Sequence, residues 1–189
     1  MMAFKRWGTA LICLFAVGSA LAASPDCNTR KYYECYEYEE SEEDKKAWQE
    51  DKVTLPAAPD MGKLIPFEVS VSNTNRFLVD PASISIGNDG VVRFTAVIES
   101  SGGARTVNYE GVRCYTRERR LYAFGQADGS WIESKGSGWV QMYKQQGRSL
   151  NGYPAVLADE YFCANRAPVK DPATAIERLN YGPAAISAR

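Results

Sequence analysis

The sequence predicts an α+β protein that is predominantly β, built on an antiparallel meander sheet with short helices. From residue 66 onward, apolar residues recur at every second position in short consecutive runs, which is the pattern of half-buried strands. Turn sequences rich in Gly, Asn, Asp and Ser join these runs, and such short connections favour hairpins over parallel βαβ units. Helix signals return only near the C-terminus, so strands and helices are segregated along the chain.

The first 22 residues have the features of a cleaved secretory signal peptide. Lys5 and Arg6 precede an uncharged apolar run over residues 10–17, and Ala20 and Ala22 are the small residues before the expected cleavage site. The run is shorter than the roughly 20 residues that a membrane span needs. We therefore expect an exported chain that has no transmembrane span after cleavage.

Cleavage would also remove one of the five cysteines. The remaining four are an even number in an exported chain, which indicates disulfides. Three pairings are possible, and in one of them Cys27 pairs locally with Cys35 while Cys114 pairs with Cys163 across a long loop. Loop entropy gives the longer link the larger stabilisation.

Residues 23–60 are expected to form an acidic, partly helical arm and a proline linker. The stretch 34–51 contains nine acids and two lysines, with neither Gly nor Pro. It predicts a solvated helix over residues 39–51, after which the segment Leu55-Pro-Ala-Ala-Pro59 forms a stiff extended linker. The arm is either a soluble spacer or an acidic segment for a basic partner, which could be the rest of the chain.

Residues 61–189 are expected to form a single domain whose strands follow one another. A strand over residues 67–71 precedes a short strand that Asp80-Pro81 ends, and Asn88-Asp89-Gly90 predicts a hairpin with a type I′ turn. The next strand has one apolar face. That face consists of Val92, Phe94, Ala96 and Ile98, and later strands are predicted over 107–114, 121–125 and 139–143.

The apolar parity changes within the predicted strand 107–114. Val107 and Tyr109 share one parity, Val112 and Cys114 share the other, and Gly111 lies between them. We therefore predict a β-bulge at Gly111 that switches the buried face.

Two short helices are predicted near the C-terminus. Residues 155–162 lack strand alternation and predict a helix that leads into Cys163. Asp171 is a favourable N-cap and Pro172 a favourable first residue for a second helix, which ends at Tyr181. The last seven residues are expected to be loose.

The composition excludes several kinds of active site. Because the 189 residues include no histidine, neither a Ser-His-Asp site, nor a Cys-His site, nor a zinc site with imidazole ligands can be built. After signal cleavage, 20 bases and 23 acids give a net charge of −3, which lacks the basic footprint of nucleic-acid binding. Glu99 and Glu110 would form a glycosidase-like carboxylate pair if they faced each other across a hairpin, although ordinary strand surface is the simpler interpretation. We predict no cofactor, no metal site and no catalytic residue.

Clustered arginines near residue 115 are the first candidates for a binding site. Arg113, Tyr115 and Arg117 would project to one face if they were in a strand, and Arg119 and Arg120 are close by. Guanidinium groups pair with carboxylates and stack on aromatic rings. The group is therefore either a site for an anionic ligand or a solvated face that acids of the same chain neutralise.

Three later aromatic residues, Trp131, Trp139 and Tyr143, are the second candidates. They would line a stacking groove for a sugar or peptide, or they would pack at the edge of the sheet.

Six segments of the chain occur in a characteristic order and spacing. They are Leu78–Gly87, Asp89–Thr95, Asn108–Cys114, Leu121–Gly125, Asp128–Trp131 and Asp159–Cys163. In this order they resemble the CNP1-like family of small exported bacterial proteins, from about Phe67 to Cys163. The family has no assigned activity, so the resemblance implies no catalytic residue. It implies a place in the periplasm or cell envelope of a Gram-negative bacterium.

A weaker similarity is to the surface-adhesin protein E family. It rests on the order of a Val-Asp-Pro segment, a hairpin, a strand with a cysteine, an arginine-rich strand, a tryptophan and a late cysteine. The architecture of that family implies that Cys114 on a strand holds Cys163 and a helix against one face of the sheet. Such a similarity of fold does not transfer function.

The sequence therefore favours an exported, non-catalytic binding or interaction module with the Arg/Tyr face as its site. Its partner would be a protein or a cell-wall component. Two alternatives stay open, a surface adhesin that binds host protein and an inhibitor of an envelope hydrolase.

Overall fold

The computed structural model of the protein describes residues 48–69, 74–142 and 152–182. The chain divides into two compact units, residues 1–46 and 47–189, and every described residue lies in the second. The expected signal peptide, Cys27 and Cys35, Tyr143 and the last seven residues lie outside the described residues.

Seven of the described strands form one antiparallel sheet, and the first six are neighbours in space in the order of the sequence. The order is β1-β2-β3-β4-β5-β6, and β7 pairs with the other end of β5. The strands are β1 (Ile65–Phe67), β2 (Arg76–Ile86), β3 (Val91–Glu99), β4 (Arg105–Arg113), β5 (Glu118–Gly125), β6 (Trp131–Glu133) and β7 (Val140–Gln141). The prediction of a predominantly β antiparallel meander is confirmed.

The helices follow the sheet in sequence, as predicted. Helix α1 (Tyr153–Val156) continues directly as a π-helix (Leu157–Phe162), and a small hairpin of β8 (Cys163–Ala164) and β9 (Ala167–Pro168) leads to α2 (Pro172–Tyr181). Asp171 caps α2 because its Oδ1 accepts a hydrogen bond from the backbone N–H of Thr174 at 2.8 Å.

The helices cover one face of the sheet, which we call the helix-bearing face. Val92, Phe94 and Ala96 of β3 are buried there as predicted, and the rings of Phe94 and Phe162 are 5.0 Å apart. A disulfide joins Cys114, just after β4, to Cys163, with 5.7 Å between the Cα atoms. The helical segment is therefore tied to the sheet, as the similarity to the surface-adhesin protein E family implies.

The predicted bulge at Gly111 is wrong. Strand β4 pairs with β3 without a break over its whole length. The bulge lies in β5 instead, where Tyr122 is the additional residue between the partners of Tyr109 and Glu110. Tyr109 lies on the opposite face of the sheet from Val112, and both side chains are buried because both faces are covered. The apolar residues change parity along β4 because both faces of the sheet are covered, and not because the buried face changes from one side to the other.

Gly111 is instead required by the close approach of an aromatic ring. A Cβ atom at this position would lie 2.5 Å from Tyr122 Oη and 2.8–2.9 Å from two carbons of the Tyr122 ring. The bulge in β5 places the Tyr122 side chain, and the glycine in β4 leaves room for its ring.

Three smaller predictions near the first strands also need correction. The first strand covers Ile65–Phe67, so it starts and ends earlier than the predicted 67–71. Asp80-Pro81 does not end β2 but interrupts its pairing with β3 between Asp80 and Ser85. The β2–β3 hairpin is present, but the residue with positive φ is Gly90, at +73°, which is the last residue of the turn 87–90 and donates the hydrogen bond that closes it to Gly87 O. Among the described residues, neither central residue of that turn has positive φ, so it is not type I′.

The predicted helix over residues 39–51 is wrong for the part that the structure describes. Residues 48–60, which we call the strap, contain neither helix nor strand. Half-buried and exposed side chains alternate at 48–50 and again at 53–55, which is the pattern of an extended segment lying on a surface. The strap lies on the face of the sheet opposite the helices, which we call the strap-bearing face, where Val53 and Leu55 pack against Tyr109, Tyr122 and Ala123.

Candidate functional site

The strap binds the sheet through alternate side chains. Trp48 and Glu50 are half-buried and point toward the sheet, whereas Gln49 between them is exposed. Because successive side chains of an extended chain point in opposite directions, residues two positions apart contact the same surface. The strap thus presents an aromatic ring and a carboxylate side by side to the strap-bearing face.

Trp48 occupies a slot between a cation and an aromatic ring. The Arg113 guanidinium lies over the indole, 3.9 Å from the ring centroid, and the Trp139 ring meets it edge-on at 5.7 Å. The indole Nε1–H donates a hydrogen bond to the backbone oxygen of Asp89 at 2.8 Å. Stacking and the hydrogen bond together fix the orientation of the indole.

Glu50 lies in a cluster of hydrogen-bond donors. The Tyr122 hydroxyl donates to Oε1 at 2.6 Å, Arg120 Nη1 donates to Oε2, and Arg93 Nη2 is 3.7 Å from Oε1. Burial and the bond to Glu50 both raise the pKa of Tyr122, so its hydroxyl remains a donor at neutral pH. This cluster is built to hold a carboxylate.

Asp89 connects the strap to Arg93. Arg93 Nη1 and Nη2 donate to its two carboxylate oxygens at 3.2 and 2.5 Å, and the backbone N–H of Asp51 donates to Oδ2 at 2.9 Å. Burial opposes ionisation of Asp89, but the bonds from Arg93, Asp51 and Val91 outweigh it and lower the pKa of this carboxyl. Asp89 is therefore a charged anchor in the β2–β3 turn.

The C-terminal half of the strap is held by apolar contacts and one hydrogen bond. Val53 and Leu55 pack on the aromatic cluster around Tyr109, and the Trp131 indole N–H donates to the backbone oxygen of Pro56 at 2.8 Å. Beside the strap lies a cleft of about 320 Å³, bounded by strap residues on one side and by Arg120, Tyr122 and Glu133 on the other. The strap is therefore not flush with the sheet along its length.

Four buried donor atoms on this face have no hydrogen-bond acceptor: Arg93 Nε, Thr95 Oγ1, Arg120 Nε and Trp139 Nε1. An unsatisfied buried donor costs about 1–3 kcal/mol, so native proteins contain few of them. The strap therefore satisfies the donors of the strap-bearing face only in part.

The structure divides the predicted binding residues between two surfaces. Arg113, Trp131 and Trp139 contact the strap, together with the neighbouring Arg120. The Trp139 ring packs edge-on against Trp48 and Tyr122. The Trp131 ring packs on Tyr109 and also lines a cleft of about 450 Å³ beside Pro59 and Met61, so a stacking site at Trp131 stays a prediction.

Tyr115, Arg117 and Arg119 are not at the strap. Tyr115 and Arg117 lie in the β4–β5 turn rather than in a strand, so the two residues predicted to share a face with Arg113 do not. Arg117 forms a two-bond ion pair with Asp159 of the π-helix. Arg166 lies over the Tyr115 ring at 4.9 Å.

Arg119 is the ion-pair partner of a buried carboxyl, Glu110, on the helix-bearing face. Its Nη1 is 3.8 Å from Glu110 Oε2, and the Glu110 side chain is 1% exposed. The Tyr153 hydroxyl and Asn108 Nδ2 donate to Glu110 Oε1. Burial raises the pKa of Glu110, and these three neighbours oppose the rise without cancelling it.

The glycosidase arrangement is excluded by the pairing of β3 and β4. Glu99 lies opposite Arg105, whereas Glu110 lies opposite Phe94, so the two acids do not face each other. Among the described residues, no group of three or more His, Cys, Asp and Glu side chains lies close enough together to hold a metal.

Sequence reasoning missed Trp48, Glu50, Asp89 and Arg93 as members of the site. One signal was available, because Arg93 interrupts the apolar run Val91-Val-Arg-Phe94 of a strand that is buried on both faces. A charged side chain in such a strand needs a partner, and here the partners are Asp89 and Glu50.

Fold and site together define an antiparallel β-rich α+β protein with a disulfide between sheet and helices and an acidic strap across the other face. The chain belongs to the CNP1-like family, whose model matches residues 43–180. The match begins ahead of the strap and ends within α2, so it contains all the contacts described above. No curated protein and no solved structure matches the chain.

Proposed function

We propose that this protein is an exported, non-catalytic binding module of the Gram-negative cell envelope, and that it binds its partner at the strap-bearing face. The Cys114–Cys163 disulfide supports an oxidising compartment. None of the described helices has the length and apolar character of a membrane span.

One observation carries the assignment of the site. Arg113, Trp131 and Trp139, chosen from the sequence as ligand-binding side chains, converge on a single segment of acidic and aromatic character. That segment is the strap of the same chain, and it is held by side chains in the manner of a bound peptide. The face therefore has the chemistry to hold an anionic, aromatic-bearing ligand.

The non-catalytic part of the proposal rests on how the reactive groups are used. The chain has no histidine, and Cys114 and Cys163 are joined to each other. The buried Glu110 bonds to Tyr153 and Asn108 beneath the helices. These groups hold the fold together, which supports binding rather than turnover.

The test is crosslinking in the intact envelope followed by mass spectrometry. The double variant Arg113→Ser/Arg120→Ser should lose the crosslinked partner at unchanged protein level. Arg117→Ser is the matched control, because it removes an arginine from the neighbouring turn that pairs with Asp159 instead. Equal loss in both variants, or retention in both, would exclude the strap-bearing face as the site.

A further inference from the structure

We infer that the partner is an extended acidic protein segment with an aromatic side chain two residues before an acid, and that the strap is an internal competitor for the same site. This inference rests on the proposed function and names its partner class. It follows from how the strap is held, from what it leaves unsatisfied, and from the charge of the face beneath it.

Two side chains of the strap fill both subsites of the strap-bearing face. Trp48 fills the slot beside Arg113, and Glu50 fills the donor cluster of Tyr122 and Arg120. The two side chains reach neighbouring subsites because they are two positions apart in an extended chain. Any extended segment with the same spacing of an aromatic residue and an acid presents the same groups.

The strap is attached in a way that permits release. Among the described residues, no backbone–backbone hydrogen bond joins residues 48–59 to the sheet, whereas β2, β3 and β4 share continuous ladders. Gln49, Lys52 and Thr54 are exposed. A segment held by a few side-chain contacts, outside the strand ladder, opens at lower free energy than the sheet itself.

The strap is also an incomplete ligand. Arg93 Nε, Arg120 Nε and Trp139 Nε1 stay without acceptors while the strap is bound. The cleft of about 320 Å³ beside the strap leaves room for additional groups along Arg120 and Tyr122. A segment that carries a further acceptor would satisfy donors that the strap leaves unpaired, and it would therefore bind more tightly per residue.

The charge beneath the strap selects an acidic occupant. When Glu50 leaves, Arg120 loses the one ion-pair partner that it has among the described residues, while Arg93 and Arg113 keep Asp89 and Glu118. The unpaired Arg120 guanidinium favours a carboxylate at this position and disfavours a cationic group. The aromatic slot of Arg113 and Trp139 in turn favours a protein segment over a simple polyanion.

Competition with the strap sets the expected affinities. A tethered segment acts at an effective concentration of the order of millimolar, so a free segment binds only the fraction of molecules whose strap is released. Weakening the strap without changing the face should therefore tighten binding of a segment in trans. We expect a decrease of about tenfold or more in the apparent Kd.

The experiment measures fluorescence anisotropy of a labelled synthetic peptide of residues 47–57 with the full mature chain. The strap variant Trp48→Ala/Glu50→Gln should bind it about tenfold or more tightly than the wild-type chain. Adding Arg120→Ser to this variant should weaken binding by a similar factor, because a charged hydrogen bond is lost. Adding Arg117→Ser should leave the Kd unchanged, since its partner is Asp159.

Two controls separate this assignment from the alternatives. A peptide with Trp48→Ala and Glu50→Lys should not bind, and an oligosaccharide of six uronic acids should bind at least tenfold more weakly than the peptide. Circular dichroism and an intact Cys114–Cys163 bond check that each variant is folded. Glu50→Gln alone is the milder strap variant if the double variant fails this check.

Three results would overturn the inference. They are the absence of saturable peptide binding to a folded strap variant, equal or tighter binding of the uronic-acid oligosaccharide, and concentration-dependent dimerisation of the wild-type chain, which would make a second copy the occupant. If crosslinking at the strap-bearing face succeeds while the peptide does not bind, the proposed function stands and the assigned partner class fails. If both fail, the site itself is wrong.

Discussion

The Arg113 guanidinium and the Trp48 indole, distant in sequence, lie 3.9 Å apart from guanidinium carbon to ring centroid. Around them, Trp48 also contacts the Trp139 ring and the backbone oxygen of Asp89. One side chain of the strap thus joins the end of β4, the segment before β7 and the β2–β3 turn.

Trp48→Ala is expected to lower the free energy of unfolding by about 1–3 kcal/mol. The substitution removes a cation–π contact and an aromatic pair, which contribute about 0.5–2 and 0.5–1.5 kcal/mol respectively. The midpoint of urea unfolding measures the loss. Tryptic cleavage after Lys52, which is exposed in the strap, should also become faster.

Gln49→Ala is the matched control, because Gln49 is the exposed neighbour of Trp48. It should change the free energy of unfolding by less than about 0.5 kcal/mol, as exposed substitutions usually do. Equal midpoints for the two variants would show that the indole contacts do not hold the strap.

The strap illustrates why the sequence alone gave the wrong local structure there. Helix-forming residues without Gly or Pro favour a helix over residues 39–51, and within a short polar segment propensity is the main local signal. A helix would separate Trp48 from Glu50 by about 200° around its axis. The extended form brings both onto the same surface, and contacts with distant residues such as Arg113 override the propensity. Those contacts could not be derived from a single sequence.

Gly111→Ala is expected to destabilise the protein by about 1–3 kcal/mol. The added Cβ would lie 2.5 Å from Tyr122 Oη, so the ring would have to move. Tyr122 donates to Glu50, so the displacement should also loosen the strap and speed cleavage after Lys52. Thermal unfolding and limited proteolysis measure the two effects.

Gly102→Ala provides the comparison for this substitution. The nearest atom to a Cβ at Gly102 is Ser100 Oγ at 3.9 Å, which is an ordinary contact. Its melting temperature should therefore stay close to that of the wild-type chain. If Gly111→Ala were equally well tolerated, the close packing of Tyr122 against β4 would be incorrect.

Strands β3 and β4 show what apolar residues at every second position can and cannot predict. Alternation along β3 correctly predicted Val92, Phe94 and Ala96 as one buried face, and turn residues placed most hairpins. In β4 the same signal was misread, because Tyr109 and Val112 are both buried but on opposite faces. Periodicity defines which residues share a face, but it does not tell how many faces the rest of the chain covers.

Glu110→Gln should change how the stability depends on pH. Burial raises the pKa of Glu110 above its ordinary value of 4.5, so the folded state disfavours the ionised carboxyl relative to the unfolded state. The favourable contribution of the protonated group is complete below pH 4.5 and is lost as the pH rises toward the folded-state pKa. The wild-type chain should therefore lose stability relative to Glu110→Gln as the pH increases from 4 to 8, as measured by urea unfolding at each pH.

Glu99→Gln should show the opposite trend and serves as the control. Hydrogen bonds from Arg105 and Arg76 lower the pKa of Glu99, so its contribution is present above the ordinary value of 4.5 and is lost as the pH falls. The stability difference between wild type and variant should thus increase with pH for Glu99 and decrease for Glu110. The same sign of slope in both variants would mean that Glu110 is ionised in the folded protein and that Arg119 is its full ion-pair partner.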